Sequence, residues 1–149
     1  MVKLVVGEKV PDFSLPNQEG KSFTFSSLLG KKIVLYFYPK DFSTGCTKEA
    51  CHFRDQYEDF IEAGAVVIGV SGDSIESHKK FIDKYLLPFT LLSDSTGEVR
   101  KLYGISGFIL PSRITFVIDK EGIIQHIFTS QTNMKAYIDE ALEALRKIK

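Results

Sequence analysis

The chain of 149 residues reads as one α/β domain over residues 1–149. A central mixed β-sheet carries helices on both faces, with a β-hairpin at the N-terminus. Three observations predict this. The continuous apolar runs at residues 33–38 and 65–70 have the pattern of strands buried on both faces. A helix-period stretch separates them, so they form a parallel β-α-β pair. Near the end, two strand-like runs flank Asp119-Lys120-Glu121-Gly122; that turn makes an antiparallel hairpin, and so a mixed sheet.

The elements follow in order. Residues 11–15 and 21–25 alternate apolar and polar around Asn17-Gln18-Glu19-Gly20, a hairpin signal. Ser26-Ser27-Leu28-Leu29-Gly30 is a helical turn stopped by glycine. The strand at 33–38 ends at Pro39. A helix then spans about 44–63, with Ala50, Phe53, Tyr57, Phe60 and Ile61 at helical spacing and Gly64 as its stop. After the strand at 65–70, Ser71-Gly72-Asp73-Ser74 caps a helix over 75–85. That turn lacks the glycine density and following lysine of a phosphate loop. Residues 89–92 form a short strand and 99–103 a short helix. Strands at 113–118 and 123–128 make the late hairpin. Asn133 caps a final amphipathic helix with Ala136, Tyr137, Ile138, Ala141, Leu142, Leu145 and Ile148 on its apolar side.

Acidic and basic residues balance at 19 each. Neither nucleic acid nor an anionic membrane is an electrostatic partner of such a chain as a whole. No apolar run approaches the roughly 18 residues of a membrane span, and the N-terminal apolar stretch is too short for a secretory signal. The expected location is cytoplasmic. Two cysteines do not make a disulfide scaffold. With His52, His78 and His126 they give no zinc-type spacing, so no metal and no cofactor is expected.

Both cysteines, Cys46 and Cys51, fall in residues 39–51, P-K-D-F-S-T-G-C-T-K-E-A-C. Cys46 lies in the first turn of the helix that follows the strand at 33–38. A helix favours negative charge there, and with it the nucleophilic thiolate. Ser43 or Thr44 supplies a capping hydroxyl, and Gly45 leaves the approach to sulfur uncrowded. The competing reading of each cysteine is core packing. Positions five apart on a helix lie about 140° around and roughly 7.5 Å along its axis, with Cα atoms about 9 Å apart. A disulfide needs less than about 7 Å. Either the two never bond, or the first turns of the helix unwind when they do. His52 reads as a surface residue rather than a base.

The segment Y-F-Y-P-K-D-F-S-T-G-C-T-K-E-A-C-H-F-R-D resembles the active-site segment of peroxiredoxins of the bacterioferritin-comigratory-protein, or Q, subfamily. The family pattern P-x-x-x-(T/S)-x-x-C falls on Pro39, Ser43 and Cys46, and the step to a resolving cysteine on Cys51. Further likeness lies in Gly7-Glu8-Lys9-Val10-Pro11-Asp12-Phe13, in Val70-Ser71-Gly72-Asp73-Ser74 with Ser77-His78, and in the late strand from Pro111 to Asp119 with Arg113. Two positions depart from the pattern: Thr44 stands where proline is common, and Ser43 where threonine is.

The resemblance implies a thioredoxin-like fold and a thiol peroxidase. Cys46 would attack a hydroperoxide and become a sulfenic acid. Ser43 and the Cys46 backbone N–H would bind the peroxide oxygens. Arg113 would stabilise the thiolate and the developing charge, and Pro39 would shield the sulfur. Cys51 would condense with the sulfenic acid to a disulfide, reduced by thioredoxin or a similar dithiol. A monomer or weak homodimer is expected. Two other readings compete. A thiol–disulfide exchanger is disfavoured by the missing C-x-x-C. A non-catalytic binding module would use the apolar residues 103–110.

Overall fold

The computed structural model describes residues 4–105, 113–129 and 134–148. The expected cap Asn133, Pro111, Ser112 and most of the apolar segment 103–110 lie outside the described residues. The hairpin is formed by β1 (Ser14–Pro16) and β2 (Ser22–Thr24), followed by a 3-10 turn at Phe25–Leu28. Then come β3 (Lys32–Phe37), α1 (Thr44–Asp55), α2 (Tyr57–Glu62), β4 (Ala65–Ser71), α3 (Ile75–Tyr85), β5 (Thr90–Ser93) and α4 (Glu98–Leu102). After these follow β6 (Ile114–Ile118), β7 (Ile124–Phe128) and α5 (Met134–Arg146). No helix among the described residues is long and apolar enough to cross a membrane.

The five-stranded sheet has the order β5-β4-β3-β6-β7. β3 pairs parallel with β4 and antiparallel with β6, so the sheet is mixed as expected. β3 lies at its centre, which explains its unbroken apolar run. Val34, Tyr36 and Tyr38 face a core with Cys46, Ala50, Phe53, Phe60, Phe81 and the buried side of α5. Ile33, Leu35 and Phe37 face a second core with Phe13, Phe25, Val99, Tyr103 and Phe116. Successive strand residues point to opposite faces, and here both faces are covered.

Three details depart from the sequence pattern. The long helix expected over 44–63 is two helices, because Gln56 leaves helical geometry at φ −106° and ψ 14°. Its side-chain amide donates to Asp139 on α5 at 2.7 Å, tying the break to the neighbouring helix. Ile61 is exposed, since it follows the break and turns away from the core. On α5, Ala136 is exposed and Ala144 is buried instead. Ser74 caps α3 as expected, accepting from the Ser77 backbone N–H at 3.1 Å.

Candidate active site

The central strand β3 ends at Phe37, and residues 38–43 carry the chain to α1. Ser43 is the N-cap residue of α1, with extended backbone at φ −68° and ψ 153°. The first helical hydrogen bond runs from Thr47 N–H to the Ser43 carbonyl at 2.9 Å. The N–H groups before Thr47 therefore have no carbonyl of α1 to bond. Cys46 sits among them in the first turn and is 1% exposed. The expected side-chain cap is not formed: the Ser43 hydroxyl donates to the Lys40 carbonyl at 2.9 Å. It closes a turn of the loop rather than the helix end.

Arg113 comes from the other side of the sheet's centre. It immediately precedes β6, whose first residue, Ile114, pairs with Phe37. The register thus sets Arg113 beside the point where the loop leaves β3. Its Nη1 donates to Cys46 Sγ at 3.4 Å and to Glu49 Oε1 at 2.6 Å. The guanidinium and the carboxylate are both buried. Burial works to lower the Arg113 pKa, but Glu49 and Cys46 outweigh it and the net direction is up. Glu49 is pushed up to about 7 by burial, against the pull of Arg113.

Gly45 has a more specific purpose than uncrowding the sulfur. A Cβ there would stand 2.9 Å from Arg113 Nη2, so the missing side chain makes room for the guanidinium. Cys51 is half-buried on the same helix, and both thiols are free. Helix α1 is continuous from Thr44 to Asp55; in this geometry the two cysteines are held apart. Pro39 lies at the exposed start of the loop. His52 is half-buried rather than fully at the surface.

Sequence reasoning missed Glu49. The signal was there: it lies one turn beyond Cys46, beside Ala50 and Phe53, an acid within the buried stripe of α1. Also unread was a polar network beneath the loop. Asp41 and His78 are buried and meet through Oδ2 and Nδ1 at 2.7 Å. Their donor atoms and those of Asp73 lie within 4.8 Å of one another, a spacing that could hold a cation. All three side chains are already engaged in hydrogen bonds, so the cluster is accounted for as a network.

A family model described as the AhpC/TSA family matches residues 6–127. The chain is 49% identical to peroxiredoxin Q of Sedum lineare over 150 residues, covering 99% of this chain and 81% of that protein. Among solved structures, peroxidoxin BcpB from Mycobacterium tuberculosis superposes with a TM-score of 0.89 at 39% identity, covering 97% of each chain. Bacterioferritin comigratory protein of Xanthomonas campestris, described for its alkyl peroxide reduction activity, gives a TM-score of 0.82 at 29% identity, over 90% of each chain. The thioredoxin-like architecture is shared with these peroxiredoxins. The expected cytoplasmic location is corrected by the comparison. The Sedum relative and others at similar identity are named as chloroplastic proteins, which does not support a cytoplasmic expectation. Balanced charge and a short apolar N-terminus carry no information about that compartment.

Proposed function

The chain belongs to the AhpC/TSA family and is a thiol-dependent peroxidase of the peroxiredoxin Q kind; from that premise we propose that Cys46 is its peroxidatic cysteine. The observation that carries this is the Arg113 guanidinium 3.4 Å from Cys46 Sγ, itself gripped by buried Glu49. A positive group at that distance stabilises the negative charge that develops in the transition state.

The Cys46 thiolate attacks the terminal oxygen of a hydroperoxide, hydrogen peroxide or an organic one. The O–O bond breaks, the alkoxide or hydroxide leaves with its electron pair and takes up a proton, and Cys46 becomes a sulfenic acid. In this reading the Cys46 N–H, free of an α1 carbonyl, binds a peroxide oxygen, Ser43 Oγ joins it by turning from the Lys40 carbonyl, and Pro39 shapes the loop around the sulfur. The Cys51 thiol then displaces water from the sulfenic acid, forming the disulfide. A dithiol protein of the thioredoxin type reduces it by exchange, becoming oxidised itself. Only one chain's cysteines are needed, which suits a monomer or weak homodimer. The intact α1 requires that its first turns unwind before the disulfide forms.

The test is intact-mass spectrometry after stoichiometric peroxide, with peroxide consumption followed in parallel. Cys46→Ser abolishes consumption. Cys51→Ser allows one oxidation and then stalls with thioredoxin as reductant. Unchanged turnover in the first variant removes Cys46 from its role, and normal thioredoxin-dependent turnover in the second does the same for Cys51.

A further inference from the structure

The loop that delivers Cys46 is tied to α3. Asp41, 3% exposed, accepts from Tyr38 Oη at 2.6 Å through Oδ1 and from Ser77 Oγ at 2.8 Å through Oδ2. Its Oδ2 also lies 2.7 Å from His78 Nδ1. Its backbone N–H donates to Asp73 Oδ2 at 2.7 Å. On the far side of the imidazole, Nε2 lies 3.0 Å from the Leu92 carbonyl. A carbonyl only accepts, so Nε2 carries a proton. The loop side chain is thus held by three short contacts away from water, where such bonds are strong.

The next residue is strained. Phe42 adopts φ +66°, left-handed backbone that a bulky aromatic side chain rarely takes. Such a conformation persists only where its surroundings over-determine it. The Phe42 ring contributes partly: it meets Phe81 edge-on at 5.0 Å but stays 43% exposed. The firmer anchor is Asp41 before it. Ser43 after it is the N-cap of the helix that carries Cys46.

We propose that Asp41 is a positioning residue for the peroxidase reaction: gripped by Tyr38, Ser77 and His78, it holds the strained loop that sets Cys46 beside Arg113. Loss of the grip releases that strain toward the unwound form in which Cys46 reaches Cys51. This rests on the Cys46–Cys51 cycle proposed above. The sulfenic acid has two fates: a second peroxide converts it to sulfinic acid in the folded form, or Cys51 captures it in the unwound form. Asp41 sets the ratio.

The experiment compares wild type, Asp41→Ala, Asp41→Asn and Ser77→Ala. Stopped-flow measures Cys46 oxidation by hydrogen peroxide, and intact mass measures sulfinic acid against disulfide. In Asp41→Ala, oxidation slows roughly tenfold, about one lost buried hydrogen bond expressed as a rate. At the same time the peroxide needed for half-conversion to sulfinic acid rises. Asp41→Asn falls between wild type and Asp41→Ala, since its carbonyl still accepts from Tyr38 while its amide NH2 can no longer accept from Ser77. Ser77→Ala shifts both readouts in the same direction by less, and decides the matter if Asp41→Ala does not fold. Unchanged oxidation and an unchanged ratio overturn the role, and so does a parallel loss of oxidation and disulfide formation. A wild type that forms no Cys46–Cys51 disulfide defeats the cycle, and this role with it. A normal wild-type disulfide with an unshifted ratio defeats the role of Asp41 alone.

Discussion

Replacing Glu49 by Gln removes a buried acid whose ionisation opposes folding. Glu49 is fully buried, and its Oε2 meets no hydrogen-bond partner among the described residues. Burial raises its pKa from 4.5 to about 7, although Arg113 pulls it down. Below pH 4.5 the folded and unfolded states both hold the proton, and Glu49 adds no pH dependence. Between 4.5 and about 7 the folded state keeps a proton that the unfolded state has lost, so stability falls as pH rises. Above about 7 the penalty is constant. At about 1.36 kcal/mol per pH unit, the fall amounts to about 3 kcal/mol. Gln has nearly the same shape and cannot ionise. Urea unfolding of reduced wild type and Glu49→Gln between pH 4.5 and 8 isolates this contribution. The wild-type stability minus that of the variant should drop by about 3 kcal/mol across the window and then level off. Parallel curves would refute the reasoning. A difference that grows with pH would show instead that Arg113 dominates over burial.

Two further substitutions test close approaches. A Cβ at Gly69, in the middle of β4, would lie 2.7 Å from Leu91 Cδ2 and 2.8 Å from Tyr36 Cζ. Both are packed between strands and helices, so Gly69→Ala should cost about 1–3 kcal/mol, read as a lower urea midpoint. Gly45→Ala meets only the tip of Arg113 at 2.9 Å, a flexible end that can move. Its stability should change by less than about 1 kcal/mol while Cys46 oxidation slows, measured by stopped-flow. An unchanged rate would mean that the Arg113–Cys46 contact is not needed for the reaction.

The sheet was legible because its signals are local. The apolar runs that became β3 and β4, the turn at Asp119–Gly122 and the cap at Ser74 each reside in a few adjacent residues. The break at Gln56 was not legible, because its partner Asp139 is 83 residues away. Ser43 was read as a side-chain cap from residue type alone; its hydroxyl instead found the Lys40 carbonyl, three residues back. Arg113 entered through a family motif, and its contact with Cys46 spans 67 residues. The tie between Asp41 and His78 spans 37, and only the packing of α3 beneath the loop brings them together. Glu49 is the case that was visible in principle. Its position in an apolar helical stripe required a buried cation, and Arg113 was already a candidate.

The placement of Glu49 also bears on the proposed cycle. It lies between Cys46 and Cys51, within the stretch that must unwind for the disulfide to form. The ion pair with Arg113 and the disulfide therefore compete for the same residues. Folded α1 gives Arg113 both Glu49 and the Cys46 sulfur as partners. Unwinding takes both away and exposes Glu49 to water, where its charge is no longer penalised by burial. In the proposed cycle, attack on peroxide turns the Cys46 sulfur into a sulfenic acid and so weakens one of the two contacts of Arg113. The neutral sulfenic acid is held less tightly than the anion it replaces, because the charge-assisted contact becomes an ordinary one. Oxidation itself thus weakens the folded arrangement at the moment when unwinding is required. In this scheme Glu49 limits how far that weakening goes, since it still holds Arg113 after the thiolate is spent.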